Sequence, residues 1–236
     1  MKLLTTTIFA FGLVSGSAIA GSADDATSEP VIAAPAPAQV MDWSGAYVGG
    51  FLGYGSGSYE QGVSAEDEAG PTVDVEGAMG GLRYGMNWQT DNKVYGFDLS
   101  ISSGIDGATP QGTNGPVYQC GTGDCYVTIK NLLTARGRYG IGFNDSRTLA
   151  YGAGGVAIGR VEGGIANSNY EAGPNTASGY TVGIGLEHKI NSRISAYGEI
   201  NYVDLGTLEF GENGSGDQYD GTGDFTTVLV GVNYQF

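Results

Sequence analysis

Residues 224–236, with the sequence DFTTVLVGVNYQF, alternate between two kinds of side chain. From Thr226 to Phe236 every second residue is Thr, Val, Tyr or Phe, whereas the residues between them are, in order, Thr, Leu, Gly, Asn and Gln. A period of two over roughly ten residues is typical of a strand that crosses a bilayer in a β-barrel, apolar toward lipid and more polar toward the lumen. The segment therefore predicts a transmembrane β-strand.

The beginning of the chain predicts export. Lys2 precedes a mainly apolar stretch over residues 3–14, and Ala18-Ile19-Ala20 supplies the small residues of a cleavage site, so residues 1–20 are interpreted as a signal peptide. The apolar stretch is too short to span a bilayer as a helix. Residues 21–42 are rich in Ala and Pro and are expected to form an extended periplasmic leader, which leaves 43–236 for the barrel.

The composition favours a barrel over an ordinary soluble enzyme. The chain contains 43 Gly and 15 Tyr, and only 15% of its residues are charged. Glycine lets tilted strands bend and pack closely, and tyrosine suits the boundary between lipid and water. A soluble, glycine-rich β-sandwich is the alternative, but it would leave the signal peptide and the aromatic terminal strand unexplained.

The alternating segments predict an all-β fold: an eight-stranded antiparallel transmembrane β-barrel with short periplasmic turns and long extracellular loops. The strands are predicted at 44–58, 73–89, 93–103, 126–143, 147–162, 177–190, 193–206 and 223–236. The short connections are polar and turn-prone. The long connections cover 59–72, 104–125, 163–176 and 207–222. An even number of strands places both termini in the periplasm.

Charged residues of both signs are predicted on the inner face of the wall. The set is Arg83, Asp98, Arg136, Arg138, Glu187, Lys189 and Glu199. An eight-stranded barrel is only wide enough for side chains to fill it, so these groups must pair with one another or with trapped water. We expect an ion-pair network in a plugged interior, with a narrow gated channel as the alternative. Parity also places Lys130 inside, and it leaves the fifth strand ambiguous because Val156 and Ile158 share the parity of Arg160.

The aromatic residues near the predicted periplasmic ends of the strands are expected to form an interfacial girdle. Its members would be Trp43, Trp88, Tyr139, Phe143, Tyr234 and Phe236. The terminal Phe236 also resembles the signal that the barrel assembly machinery of the outer membrane recognises, which makes that machinery an expected partner.

The acidic balance constrains the partners. The formal net charge is −15, and the four predicted long loops contain no Lys or Arg. The outer face is therefore expected to be negative, which excludes nucleic acid as a partner. The carboxylates are interpreted either as solvated loop charges or as groups bridged to lipopolysaccharide by divalent cations. No loop has the spaced carboxylate motif of a dedicated metal site.

Few residues suggest other chemistry. Cys120 and Cys125 are the two cysteines, and in an oxidising compartment they predict a disulfide within the second long loop. His188 is the single histidine and has no Gly-x-Ser-x-Gly elbow or shaped partner nearby, so we assign no catalytic residue, cofactor or metal.

Three segments resemble a known family: WSGAYVGGFLGYG at 43–55, GYTVGIGLE at 179–187 and VLVGVNYQF at 228–236. They resemble the small outer-membrane β-barrel proteins of alphaproteobacteria, which are porin-like and similar to opacity-type adhesins. The resemblance implies eight antiparallel strands in the outer membrane and a non-enzymatic role in envelope integrity and surface contact. A small solute porin and a surface ligand-binding protein are the alternatives. Some family members bind heme, but the predicted loops contain no histidine.

Overall fold

Antiparallel β-strands make up the described part of the chain. The computed structural model describes residues 41–63, 68–109, 123–166, 171–212 and 218–236. Within these ranges there are nine strands: β1 Gly45–Val63, β2 Glu68–Thr90, β3 Lys93–Ser103, β4 Asp106–Thr109, β5 Cys125–Phe143, β6 Thr148–Ile165, β7 Glu171–Lys189, β8 Ile194–Glu212 and β9 Gln218–Gln235. None of the described residues belongs to a helix long and apolar enough to cross a membrane.

The strands close into a ring. Neighbouring strands pair in chain order, and β1 pairs with both β2 and β9. The short β4 continues the line of β3, and both pair with β2 and β5, so they share one position in the wall. The ring therefore has eight positions, and the prediction of an all-β, antiparallel, eight-stranded barrel is confirmed, with its third strand divided in two.

The division of the third strand follows from a close backbone approach. A Cβ on Gly104 would lie 1.1 Å from the carbonyl oxygen of Ile129, so only glycine fits there. The next residue, Ile105, turns into the interior and is 2% exposed. Its carbonyl accepts a hydrogen bond from the Ile129 amide at 2.8 Å, which keeps the wall closed across the break.

The strands extend further than the sequence predicts at one end. Turns at 90–93, 144–147 and 190–193 define the short-turn end of the barrel; the opposite end is called the far end. At the far end β1 and β2 remain paired beyond Tyr59 and Val73, where a loop was predicted, up to Val63 and Glu68. The polarity pattern changes there because the outward residues face water, but the hydrogen-bonded ladder continues.

Large apolar side chains form a continuous outward-facing band, which we call the lipid belt. Leu52 is 70% exposed and Ile184 69%, values that a water-soluble barrel would not maintain around its whole circumference. The ambiguous strand, β6, is now assigned: Val156, Ile158 and Arg160 point outward. The belt includes Val48, Leu52, Leu82, Phe97, Leu99, Ile101, Leu133, Ile141, Val156, Val182, Ile184, Leu186, Ile200, Val228, Val230 and Val232.

The interior has two parts. Toward the far end, an apolar layer of buried side chains fills the barrel: Tyr59, Val73, Val75, Ile105, Val127, Ile129, Val161, Leu205 and Phe225. Toward the short-turn end, the interior holds the buried charged side chains together with a second apolar cluster of Trp43, Val94, Leu149, Tyr151 and Ala153. Inward glycines make room for the rings of this part; a Cβ on Gly85 would lie 2.4 Å from the Tyr47 ring.

Candidate functional site: the barrel interior and its short-turn end

Glu199, on β8, is the centre of a buried hydrogen-bond network. Its Oε1 accepts from Arg83 Nη2 at 2.9 Å and from Arg136 Nη1 at 2.8 Å, and its Oε2 accepts from Tyr151 Oη at 2.7 Å. Arg136 also donates from Nε and Nη2 to the two carboxylate oxygens of Asp98, at 2.9 and 3.1 Å. The alternation of β2, β3, β5, β6 and β8 brings all five side chains to the same depth of the lumen.

A second network lies nearer the short-turn end and centres on Glu187 of β7. Arg138 Nη2 donates to Glu187 Oε2 at 2.8 Å, and Arg138 Nη1 donates to the hydroxyl of Tyr47 at 2.9 Å. The other oxygen of Glu187 accepts from Ser195 Oγ at 2.5 Å and from Asn233 Nδ2 at 2.8 Å. Both oxygens of this buried carboxylate therefore have partners, which offsets the cost of removing it from water.

The buried charges of the two networks balance. The cations are Arg83, Arg136 and Arg138, and the anions are Asp98, Glu187 and Glu199, all at most 5% exposed. Aromatic rings add to their stabilisation: the guanidinium carbon of Arg83 lies 4.5 Å from the Tyr197 ring centre, and that of Arg138 lies 4.1 Å from the Tyr151 ring centre. The six buried charges thus form a neutral set with geometrically good partners.

Lys189, the seventh predicted interior charge, lies apart from these networks. Its Nζ donates to Gln235 Oε1 at 2.6 Å and to the Ser192 carbonyl at 3.1 Å, and it forms no ion pair with any residue in the described ranges. The same Nζ lies 4.9 Å from the Trp43 ring centre, so it faces an aromatic surface at the short-turn end. The structure therefore puts all seven predicted residues inside, six in the two networks and Lys189 beside Trp43.

One small cavity lies among the network side chains. It has a volume of about 20 Å³ and lies beside Phe51, Arg83 and Glu199. A water molecule needs roughly 10–15 Å³ by this measure, so the cavity has space for about one.

Residues 41–43 close the short-turn end. Trp43 is 2% exposed; its Nε1 donates to the Ser146 carbonyl at 2.7 Å, and its backbone amide donates to Gln89 Oε1 at 2.8 Å. The Met41 amide donates to the Asp145 carbonyl at 3.0 Å, so this segment reaches from the start of β1 to the turn between β5 and β6. The prediction of Trp43 in the interfacial girdle is therefore wrong, because the segment before β1 turns inward across the opening.

The other predicted girdle residues face outward. Trp88 stacks on Tyr95 with ring centres 6.0 Å apart, and Tyr234 meets Phe236 edge to face at 5.5 Å. Trp88, Tyr139, Phe143, Tyr234 and Phe236 are all exposed. Phe236 is the most exposed of them at 74%, and its role as an assembly signal stays a prediction.

The remaining candidates provide no assembled chemistry. Cys125 is buried at the start of β5, whereas Cys120 lies outside the described residues, so the disulfide stays a prediction. His188 is outward-facing, with its Nδ1 2.9 Å from the Thr148 hydroxyl. Within the described ranges, no group of three or more His, Cys, Asp or Glu side chains is arranged to hold a metal ion.

The alternation of the sequence misplaced one cation, and the predicted interior set did not include the tyrosines and the serine that partner its charges. Lys130 is exposed on the outside of the wall, not inside, because a β-bulge in β5 changes the parity between Ile129 and Asn131. Asn201 and Asn233 lie inside, as the alternation of their strands predicts, whereas Tyr47, Tyr151, Tyr197 and Ser195 were not among the predicted interior residues. All four are buried on the inward face of their strands, and the same period of two is the signal that could have identified them.

Comparison with known proteins gives consistent matches. The family model described as "Outer membrane protein beta-barrel domain" matches residues 29–236. The 31 kDa outer-membrane immunogenic protein of Brucella melitensis biotype 1 is 30% identical over 229 residues, which cover 91% of this chain and 92% of that protein. The 22 kDa outer membrane protein of Rhizobium leguminosarum bv. viciae is 27% identical over 194 residues, covering 82% and 78% respectively. Among solved structures, outer membrane protein AlkL in lipid bilayers has a TM-score of 0.47 at 14% identity, covering 86% of this chain and 95% of that one.

Proposed function

This chain belongs to the family of outer-membrane protein β-barrel domains, and we propose that it is a non-enzymatic, non-conducting barrel that supports the integrity of the outer membrane and presents a polar surface outside it. Its place in the cell outer membrane follows from the family and its named relatives. The short-turn end then faces the periplasm and the far end faces the outside, as in bacterial barrels generally.

The filled interior carries the proposal. Along the axis there are three successive fillings: Trp43 at the periplasmic opening, the neutral charge networks in the middle, and the apolar layer toward the outside. An ion crossing this path would have to displace paired charges and then enter an apolar layer. Each step is costly, because a charge loses its hydration without gaining a partner.

The named relatives and the surroundings of the titratable groups favour the non-enzymatic part of the proposal. His188 lies on the outer surface near the periplasmic end, where its ring contacts the Thr148 hydroxyl. The buried carboxylates Asp98, Glu187 and Glu199 are held by arginines, which favours their use in packing rather than in proton transfer.

The far end supports a role in surface contact. Its outward carboxylates include Glu76, Asp106 and Asp224, all exposed beyond the lipid belt. The Brucella relatives are named immunogenic, which fits a protein exposed at the cell surface. Expected partners are outer-membrane lipids and lipopolysaccharide, partly through divalent cations, together with the barrel assembly machinery; the sequence does not identify a host or surface ligand.

Single-channel recording tests the proposal. The refolded full chain, with folding verified by a heat-dependent gel shift, should leave a planar bilayer silent. Trp43→Ala should also be silent, since the networks and the apolar layer remain, and Trp88→Ala serves as the matched lipid-facing control. Steady openings of the wild-type protein would refute the closed interior and favour a small solute porin. If Trp43→Ala conducts while the wild-type protein does not, Trp43 at the periplasmic opening is the group that blocks ion flow.

A further inference from the structure

Two cations lie side by side just beyond the lipid belt. Among the described side chains, the first outward charge past the belt is a carboxylate on most strands: Glu60 on β1, Glu76 on β2, Asp106 on β4, Asp204 on β8 and Asp224 on β9. On the neighbouring strands β5 and β6 it is a cation, Lys130 and Arg160 respectively, and both are exposed. On the strands named here, the first outward charge is therefore acidic except on the neighbouring β5 and β6.

A β-bulge creates the pair. The register between β5 and β6 passes from Ile129 opposite Val161 to Asn131 opposite Arg160, so Lys130 is the extra residue. A bulge commonly redirects a side chain at a functional position. Here it turns Lys130 out of the lumen and places it next to the strand that carries Arg160.

The surroundings of Arg160 combine polar and apolar contacts. On either side its register partners are Asn131 of β5 and Thr176 of β7, and both are exposed. One step toward the bilayer, Leu133 and Ile158 lie opposite each other and face lipid. A ligand at Arg160 would meet polar side chains at the level of water and apolar ones immediately below.

Two carboxylates, Glu162 and Asp106, lie near the pair. Glu162 Oε2 lies 2.8 Å from Lys130 Nζ, and the two side chains are 29% and 48% exposed, so this ion pair is open to solvent. Arg160 forms no ion pair with any residue of the described ranges. Asp106 of β4 is a second nearby carboxylate, because its register partner Thr128 lies two residues from Lys130. The four side chains together carry no net charge, but Arg160 is not in an ion pair with either carboxylate, so its guanidinium keeps its donors available.

We propose that Lys130 and Arg160 bind a phosphate group of an anionic glycolipid in the outer leaflet of the outer membrane. The planar donors of arginine match two phosphate oxygens, and the lysine adds a point charge. The two cations lie just beyond the lipid belt, so a lipid should bind here better than a soluble anion, because its acyl chains would lie on Leu133 and Ile158 below the phosphate. This contact is direct, in contrast to the cation-bridged contact expected for the acidic rim. It depends on the outer-membrane location and not on whether the barrel conducts.

Retention of lipid A by the full chain tests the site. The protein is refolded into phosphatidylcholine vesicles containing lipid A, extracted in mild detergent, and the bound lipid A per barrel is counted by native mass spectrometry. Lys130→Gln with Arg160→Gln should lower retention about tenfold, the size of effect expected when charge-assisted hydrogen bonds are lost. Lys93→Gln with Arg193→Gln removes the same charge from exposed positions at the short-turn end and should retain lipid A normally. Equal retention by both double variants would overturn the proposal.

Two further arms identify the ligand chemistry. Glu162→Gln releases Lys130 and should increase retention, whereas a decrease would mean that the carboxylate, through bridging cations, holds the lipid. Dephosphorylated lipid A should be retained several-fold less than lipid A; equal retention would exclude phosphate recognition. Inorganic phosphate added during extraction should compete poorly, and full competition would indicate a general anion site instead of a lipid site. Heat-dependent gel shifts of every variant verify that the barrels are folded.

Discussion

Replacing Glu199 by glutamine is the most direct test of the central network. The carboxylate accepts five hydrogen bonds, four from Arg83 and Arg136 and one from Tyr151. Glutamine has nearly the same shape, but its amide nitrogen would face donors, and the six buried charges would no longer balance. Removal of one partner from a buried ion pair costs about 3–5 kcal/mol. With a urea slope of about 2 kcal/mol per molar, the unfolding midpoint should fall by about 2 M.

The assay is urea unfolding of barrels folded into phosphatidylcholine vesicles, followed by the heat-dependent gel shift. Glu76→Gln, an exposed carboxylate beyond the lipid belt, is the control and should change the midpoint little. Arg83→Met combined with Glu199→Gln restores the balance of charge and should recover part of the loss. A midpoint for Glu199→Gln within about 0.5 M of the wild type, or about 1 kcal/mol at that slope, would refute the reasoning.

Two further predictions test which side chains face lipid and which face the lumen. Val230 is 62% exposed in the lipid belt, so Val230→Arg should fail to insert, because a charge near the bilayer midplane costs about 2–4 kcal/mol. Thr222→Arg lies on the same strand beyond the belt and should insert normally, as measured by the heat-dependent gel shift. Gly85→Ala should lower the urea midpoint by the equivalent of about 1–3 kcal/mol, because its Cβ would lie 2.4 Å from the Tyr47 ring. Gly152→Ala, whose nearest contact would be at 3.8 Å, should not. Insertion of Val230→Arg, or equal midpoints for the two alanine variants, would contradict the assignment.

Much of this architecture can be derived from a period of two. Along β9, one parity supplies Val228 and Val230 to lipid, and the other supplies Thr227 and Asn233 to the lumen. The pattern is reliable in the belt because each strand has hydrocarbon on one side and a crowded polar lumen on the other, so an error of one residue would reverse every side chain.

The pattern is less informative where the environment changes. Outside the lipid, β1 and β2 have water on their outer face, so outward residues such as Glu60 and Thr72 look like loop residues although they are paired in strands. Trp43 illustrates the same limit at the other end. An aromatic residue next to a strand suits the lipid interface and a buried opening equally well, and only the contacts with Ser146 and Gln89 distinguish the two.

The prediction for Lys130 was wrong because two neighbouring strands change their inward-facing parity at the same level of the barrel. On the line of β3 and β4, the inward residue changes from Ser102 to Ile105, and on β5 it changes from Leu132 to Ile129, so both strands reverse parity at the same level. Their mutual register stays constant across this level, with Ser103 opposite Asn131 and Asp106 opposite Thr128. The reversal moves two isoleucines into the apolar layer and turns Asp106 and Lys130 toward water.

Without this paired reversal, the far end of the two strands would bury a lysine and an aspartate and expose isoleucines to solvent. It occurs where the strands leave the lipid belt, which is the point at which the favourable arrangement changes from polar inside to apolar inside. Gly104 makes it possible, because only a residue without a Cβ can approach the Ile129 carbonyl so closely. The same local irregularity therefore closes the apolar layer and sets Lys130 beside Arg160, so the filling of the lumen and the proposed phosphate site have a common structural origin.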